Sequence, residues 1–170
     1  MLLNHIKRAI SLSVNSEWIQ SLKTVKGNTQ QKEREYISKV KDILTNCGCK
    51  FTEASSQSPI DFRDVMHNDY EETINIEAKM TTTPKIMAND SLPSAEVYYL
   101  IFFTGNTQYK PQYFFRRGDD FLSDEKWELD YLKDIHNIKE QYCGKKDHLS
   151  GYMSCYVRPN WSFSIKQLLT

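Results

Sequence analysis

A chain of 170 residues, 39% hydrophobic and 26% charged, is long enough to bury a core as one domain and too mixed in composition to be fibrous or low-complexity. Its 22 basic and 22 acidic residues cancel, which excludes a strongly basic or acidic bulk character; a charged partner must be met by local clusters such as Arg116-Arg117 and Lys145-Lys146. Residues Met1 to Arg8 hold no apolar signal core, and no run approaches the ~18 apolar residues of a membrane span, so a soluble cytoplasmic protein with no membrane partner is expected.

From the N-terminus, Ile6, Ile10, Val14, Trp18 and Leu22 recur at steps of four, predicting one helix or a pair over Leu3 to Leu22. Gly27-Asn28 breaks that pattern. A second helix is predicted from about Gln31 to Thr45, with Tyr36, Ile37, Val40, Ile43 and Leu44 as its apolar stripe and Asn46 to Gly48 as its stop. Pro59 to Val65 alternates in places and reads as a short strand, His67 to Tyr70 as a turn, and Thr73 to Met80 as a clear alternating strand; the two strands are expected to pair antiparallel. Thr81 to Pro93, rich in breakers, reads as a loop. Val97 to Phe103 is a continuous apolar run suited to a buried central strand. Tyr113 to Arg117 reads as another strand. Asp124 to Tyr142 reads as a helix, with Asp124 as N-cap or first-turn acid and Trp127, Tyr131, Ile135, Ile138 and Tyr142 as a core-facing stripe. Tyr152 to Val157 and Trp161 to Ile165 read as two late strands. The order predicts a mixed α/β (α+β) domain with a central mixed sheet flanked by helices. It divides into N-terminal helices over 1–45, a core over about 33–103, and a C-terminal helix and strands over 104–170.

Chemistry concentrates in Asn75-Ile76-Glu77-Ala78-Lys79. Alternation puts Asn75, Glu77 and Lys79 on one face and Ile74, Ile76 and Ala78 on the other. If the neighbouring strand supplies Asp61, two carboxylates and an ammonium meet. Paired carboxylates suit Mg²⁺, a hard cation that takes oxygen ligands and keeps several waters. A lysine beside them can steady a nucleophilic water or the charge that grows on a phosphate. The four cysteines, Cys47, Cys49, Cys143 and Cys155, lack a second pair at zinc spacing and read as reduced thiols. The four histidines read as structural or solvated.

Pro59-Ile60-Asp61, then fifteen residues, then Glu77-Ala78-Lys79 resembles the PD-(D/E)xK nuclease motif, with Ile60 inserted between Pro59 and Asp61. Within that superfamily the chain looks most like a small type II restriction endonuclease, because the segment Lys85 to Pro93 is similar to an Asn-Asp-Ser-x-Pro loop of several such enzymes. The resemblance covers roughly Glu33 to Phe103. It implies a restriction endonuclease-like fold, Mg²⁺ bound by Asp61, Glu77 and the Ala78 carbonyl, and Lys79 orienting the attacking water. Glu33 would add the helix acid, with Glu35 or Glu53 as alternatives. It implies double-stranded DNA as substrate, a homodimer matching a two-fold site, and a cognate DNA methyltransferase as a candidate companion. Lys85, Asn89, Asp90, Ser91, Arg116, Arg117, Arg158 and Asn160 are the candidate DNA contacts, with Tyr109, Tyr113 and Trp161 lining the duplex. A structure-selective repair or recombination nuclease of the same fold, or a non-catalytic DNA-binding module, are the alternatives.

Overall fold

The computed structural model describes residues 1–24, 27–54, 60–89, 93–144 and 160–169. Three helices come first: α1 (Leu2–Ser13), α2 (Ser16–Ser21) and α3 (Thr29–Asn46). The predicted N-terminal pattern is therefore a pair, split at Val14-Asn15. The Asn15 side chain takes the Trp18 N–H at 2.8 Å and so restarts the helix. Strands β1 (Lys50–Glu53), β2 (Phe62–Met66), β3 (Ile74–Thr81), β4 (Lys85–Asn89), β5 (Val97–Phe103) and β6 (Gln112–Arg117) follow, then α4 (Trp127–Tyr142) and β7 (Asn160–Ser164). Pro59, Asp90, Ser91, Lys145, Lys146, Arg158 and the predicted strand Tyr152 to Val157 lie outside the described residues.

Five strands form one sheet in the order β1-β2-β3-β5-β6. Only β3 and β5 run parallel; the other pairs are antiparallel, including the expected β2–β3 pair. This is the mixed α/β arrangement with a central mixed sheet that the sequence predicts. Phe62 stands opposite Ile76 and Val65 opposite Ile74, so β2 carries one more residue than β3 over that span. The bulge is centred near Asp64, at φ 52°, whose N–H donates to the Asn75 side chain at 3.0 Å. It lets Phe62 and Val65, three apart, both pack inward (1% and 0% exposed). That is why this strand's alternation looks broken in the sequence.

Each sheet face has its own core. On one, Ile76, Ala78, Leu100 and Phe102 pack under Leu2, Ile6 and Ile10 of α1, Ile19 of α2, and Tyr36, Val40 and Leu44 of α3. The stripe predicted for the second helix thus packs as expected. On the other face, Val97, Tyr99, Ile101 and Phe103 meet Ile86, Phe163 and Ile165. Ile86 and Phe163 come from a two-stranded antiparallel ribbon, β4–β7, and Ile165 follows it directly. The segment expected to be a loop, Thr81 to Pro93, therefore contains a strand. Its local breakers masked it, because its partner lies more than seventy residues downstream (Lys85 opposite Ser164). Strand β1 was likewise unexpected; four residues with one half-buried apolar side chain give too little alternation to read.

Helix α4 departs furthest from expectation. It starts at Trp127, not Asp124, behind Lys126 in the left-handed region. Its first turn is tied by the buried Glu128 carboxylate, which accepts from the Ser123 N–H at 3.1 Å and the Ser123 hydroxyl at 2.8 Å. The stripe predicted to be core is exposed at Trp127, Tyr131 and Ile138, between 44% and 54%. The reason is positional: both faces of the central sheet are already covered by other elements. Among the described residues no helix is long and apolar enough to cross a membrane.

Candidate active site

Strand β2 begins at Phe62 opposite Ile76, so Ala78 to Thr81 of β3 run on beyond it. This open stretch of strand edge forms the floor of a cleft of about 810 Å³. Gln30, Glu33, Arg34 and Ile37, one face of α3 by their spacing, form one wall; Lys85, Ile86 and Met87 of β4 form another. Asp61, Glu77, Lys79, Tyr36, Thr81 and Thr83 complete the lining.

Asp61 sits just ahead of β2, next to Ile60, which packs into the second core. Its carboxylate accepts from the Ala78 N–H at 2.8 Å across the gap where the β2–β3 ladder has ended. In an extended strand the N–H and C=O of one residue leave the backbone on the same side, so the Ala78 carbonyl faces the same gap. Glu77 and Lys79 share the opposite face of β3 from Ile76 and Ala78, as alternation requires, and the Lys79 ammonium donates to Glu77 Oε1 at 2.8 Å. Glu77 lies opposite Tyr99 in the parallel register, over the aromatic layer of the second core. It is 8% exposed, and its second oxygen, Oε2, is buried with no hydrogen-bond partner.

This placement loads the carboxyls electrostatically. Burial pushes the Glu77 carboxyl up to about 7; Lys79 pulls it down, and neighbouring Asp61 pushes it up again. The Asp61 carboxyl is raised by burial too, against the Ala78 N–H and Lys79, which lower it. The Tyr36 hydroxyl is driven upward by burial and then by Glu33, Asp61 and Glu77. Glu33 and Tyr36 of α3, Glu77 and Lys79 of β3, and Asp61 just ahead of β2 thus form one electrostatic cluster. A buried carboxylate oxygen without a hydrogen-bond partner, beside a second raised carboxyl, is a spot where added positive charge would be stabilising.

Asp61, Glu77, Ala78, Lys79, Glu33 and Lys85 all reach the cleft. Glu35 instead pairs with Lys32 at 2.9 Å, and Glu53 with Lys41. Asn75 is spent on the backbone, bonding the Asp64 N–H and the Glu96 carbonyl. Arg116 and Arg117 lie on β6, two strands from β3, and Arg117 is clamped by Asp119 through bonds of 3.0 and 2.7 Å. Asn89 and Asn160 pair at one end of the β4–β7 ribbon. Tyr109 packs against the second core, and Tyr113 against the first. Sequence reasoning missed Gln30 and Arg34 and gave Tyr36 only a packing role. The 30-33-34-37 spacing around Glu33 was the available signal.

Comparison with known proteins finds no significant match to any family model, curated protein or solved structure. Among the described residues no group of three or more His, Cys, Asp or Glu side chains is gathered so as to hold a metal ion. The oxygen donors brought together in the cleft are the Asp61 and Glu77 carboxylates and the Ala78 carbonyl. That donor set suits Mg²⁺, which retains several waters and is held by one or two carboxylates.

Proposed function

We propose that the cleft hydrolyses phosphodiester bonds in double-stranded DNA, with Mg²⁺ held by Asp61, Glu77 and the Ala78 carbonyl. The observation that carries this reading is the orphaned, buried Glu77 Oε2 beside a second raised carboxyl and a lysine. A divalent cation would neutralise the pair, lower the pKa of a bound water and draw charge from the phosphoryl oxygens. Lys79, held by Glu77 Oε1, then points its remaining protons into the cleft, where it orients the attacking water and meets charge developing on the phosphate. Glu33 lines the cleft from α3, where its carboxylate would accept a hydrogen bond from the attacking water. Arg34 and Lys85, on opposite walls, bind the flanking phosphates.

The β4–β7 ribbon is the element we assign to the major groove, which admits a two-stranded ribbon. Its outward positions Lys85, Met87, Ser162 and Ser164 are exposed, and its inward positions Ile86 and Phe163 anchor it to the sheet. The finer reading is a type II restriction endonuclease acting as a homodimer on a two-fold site. It rests on the Pro-Ile-Asp and Glu-Ala-Lys motif and its spacing. The test is incubation of the purified chain with unmethylated phage and plasmid DNA, with Mg²⁺ or EDTA. Discrete fragments that require Mg²⁺ are expected. Lys79→Ala is expected to lower the rate about a hundred- to a thousand-fold. DNA left whole across a range of divalent cations overturns the reading.

A further inference from the structure

Away from the cleft, where α3 ends, Cys47 and Cys49 flank Gly48 with their sulfurs 3.6 Å apart. Gly48 sits at φ +80°, a conformation that needs glycine, and the turn is closed by its N–H on the Thr45 carbonyl and the Cys49 N–H on the Leu44 carbonyl. This turn folds the two side chains toward each other. A bonded pair stands at about 2.05 Å, so the sulfurs need approach by only about 1.5 Å. Their surroundings differ. Cys47 is half-buried, whereas Cys49 is 7% exposed and belongs to the first core. His5 of α1 reaches the same spot, its Nε2 2.8 Å from the Cys47 carbonyl oxygen, and its ring packs against His67 at 4.7 Å.

We propose that Cys47 and Cys49 form a thiol–disulfide exchange site for small-molecule disulfides, with Cys47 as attacking thiol and Cys49 as resolving thiol. The Cys47 thiolate attacks one sulfur of the small disulfide, forming a mixed disulfide and releasing one small thiolate. The Cys49 thiol gives its proton to a leaving thiolate and attacks the Cys47 sulfur, forming the Cys47–Cys49 bond and releasing the second. Two protein thiols are oxidised, and one small disulfide is reduced to two thiols.

The division of labour follows from the environment. Cys47 is the more exposed of the two, and the contact with Cys49, with His5 alongside, lowers its thiol against the opposing effect of burial, while the same contact and burial raise Cys49. The carbonyl end of α3 works against a thiolate, and the Cys49 donor and His5 offset it. A disulfide across one residue closes a small, strained ring, which favours easy reduction and hence reversible exchange over permanent bracing. Its bond would pin the end of the helix whose first half lines the cleft.

The test equilibrates the reduced 170-residue chain with oxidised glutathione, quenches in acid, alkylates free thiols and maps the peptides by mass. The expected result is a Cys47–Cys49 peptide two hydrogens lighter and no longer alkylated, with Cys143 alkylated in full. In Cys49→Ser a glutathione adduct is expected to accumulate at Cys47, and in denaturant the preference for Cys47 is expected to vanish. Adducts spread evenly over Cys47, Cys49 and Cys143 in the folded chain overturn the proposal, and so does a mixed disulfide that persists on Cys47 beside an intact Cys49.

Discussion

Glu77 carries more tension than any other described side chain: a nearly buried carboxylate, one oxygen paired with Lys79 and the other with nothing. Its carboxyl stands near 7 in the folded chain against 4.5 for an ordinary glutamate. A raised carboxyl holds its proton in the folded state after the unfolded chain has released it. Its contribution is therefore full below about pH 4.5 and is lost as pH rises through about 7. The loss amounts to about 3 kcal/mol. Urea unfolding in EDTA is expected to show stability falling across that window. Added Mg²⁺ should restore it at pH 8, because a cation replaces the missing proton. Glu77→Gln should flatten the pH dependence while abolishing the Mg²⁺ effect. A stability profile that stays level from pH 4.5 to 8 in EDTA would show that the carboxyl is not loaded as described. Under the proposed function, the same residue would trade stability for the charge that a cation site needs.

At the scale of elements, position in the sheet decides what a stripe of apolar residues is worth. Ile101 of β5 is fully buried between neighbours on both sides of the central strand, whereas Ile138 of α4 is 54% exposed although its spacing promises a core. Ile101→Ala is expected to cost about 2–5 kcal/mol, as deletion of buried methyl groups does. Ile138→Ser is expected to stay within about 0.5 kcal/mol. Chemical denaturation of the two variants separates the cases, and a large loss for Ile138→Ser would mean that α4 packs more tightly than its exposure indicates. The same contrast explains what was legible. α3 and β3 could be read because each carries a strong period on a face that is buried in the fold, and β5 because its unbroken apolar run suits a strand buried on both faces. β4 and the bulge in β2 could not, because a partner more than seventy residues away creates the first and a register shift the second.

Across the whole molecule the net charge is zero, so any DNA affinity would have to come from where cations sit. Arg34, Lys79 and Lys85 line the cleft, while Arg117 is held by Asp119 toward the far edge of the sheet. If the cleft binds DNA, Lys85→Ala should make the slope of log affinity against log salt shallower by about 1, and Arg117→Ala should leave it unchanged. Fluorescence anisotropy at several salt concentrations, with Ca²⁺ in place of Mg²⁺, reads this directly. The opposite pattern would move the DNA path to the β6 edge.

The sequence by itself determined the local matters: two carboxylates and a lysine at strand spacing, the apolar faces of α3 and β3, the central strand β5, and the mixed α/β class. These follow from periods, from an apolar run, from a short motif spacing and from the order of elements along the chain. Only the tertiary structure decided that Asp61 meets the Ala78 N–H, that Glu33 rather than Glu35 or Glu53 reaches the cleft, and that β4 pairs with β7. It alone left the α4 stripe exposed. These outcomes depend on which surfaces are already covered when distant segments meet, and on the end of a ladder that leaves one strand edge open. Neither quantity is a property of neighbouring residues.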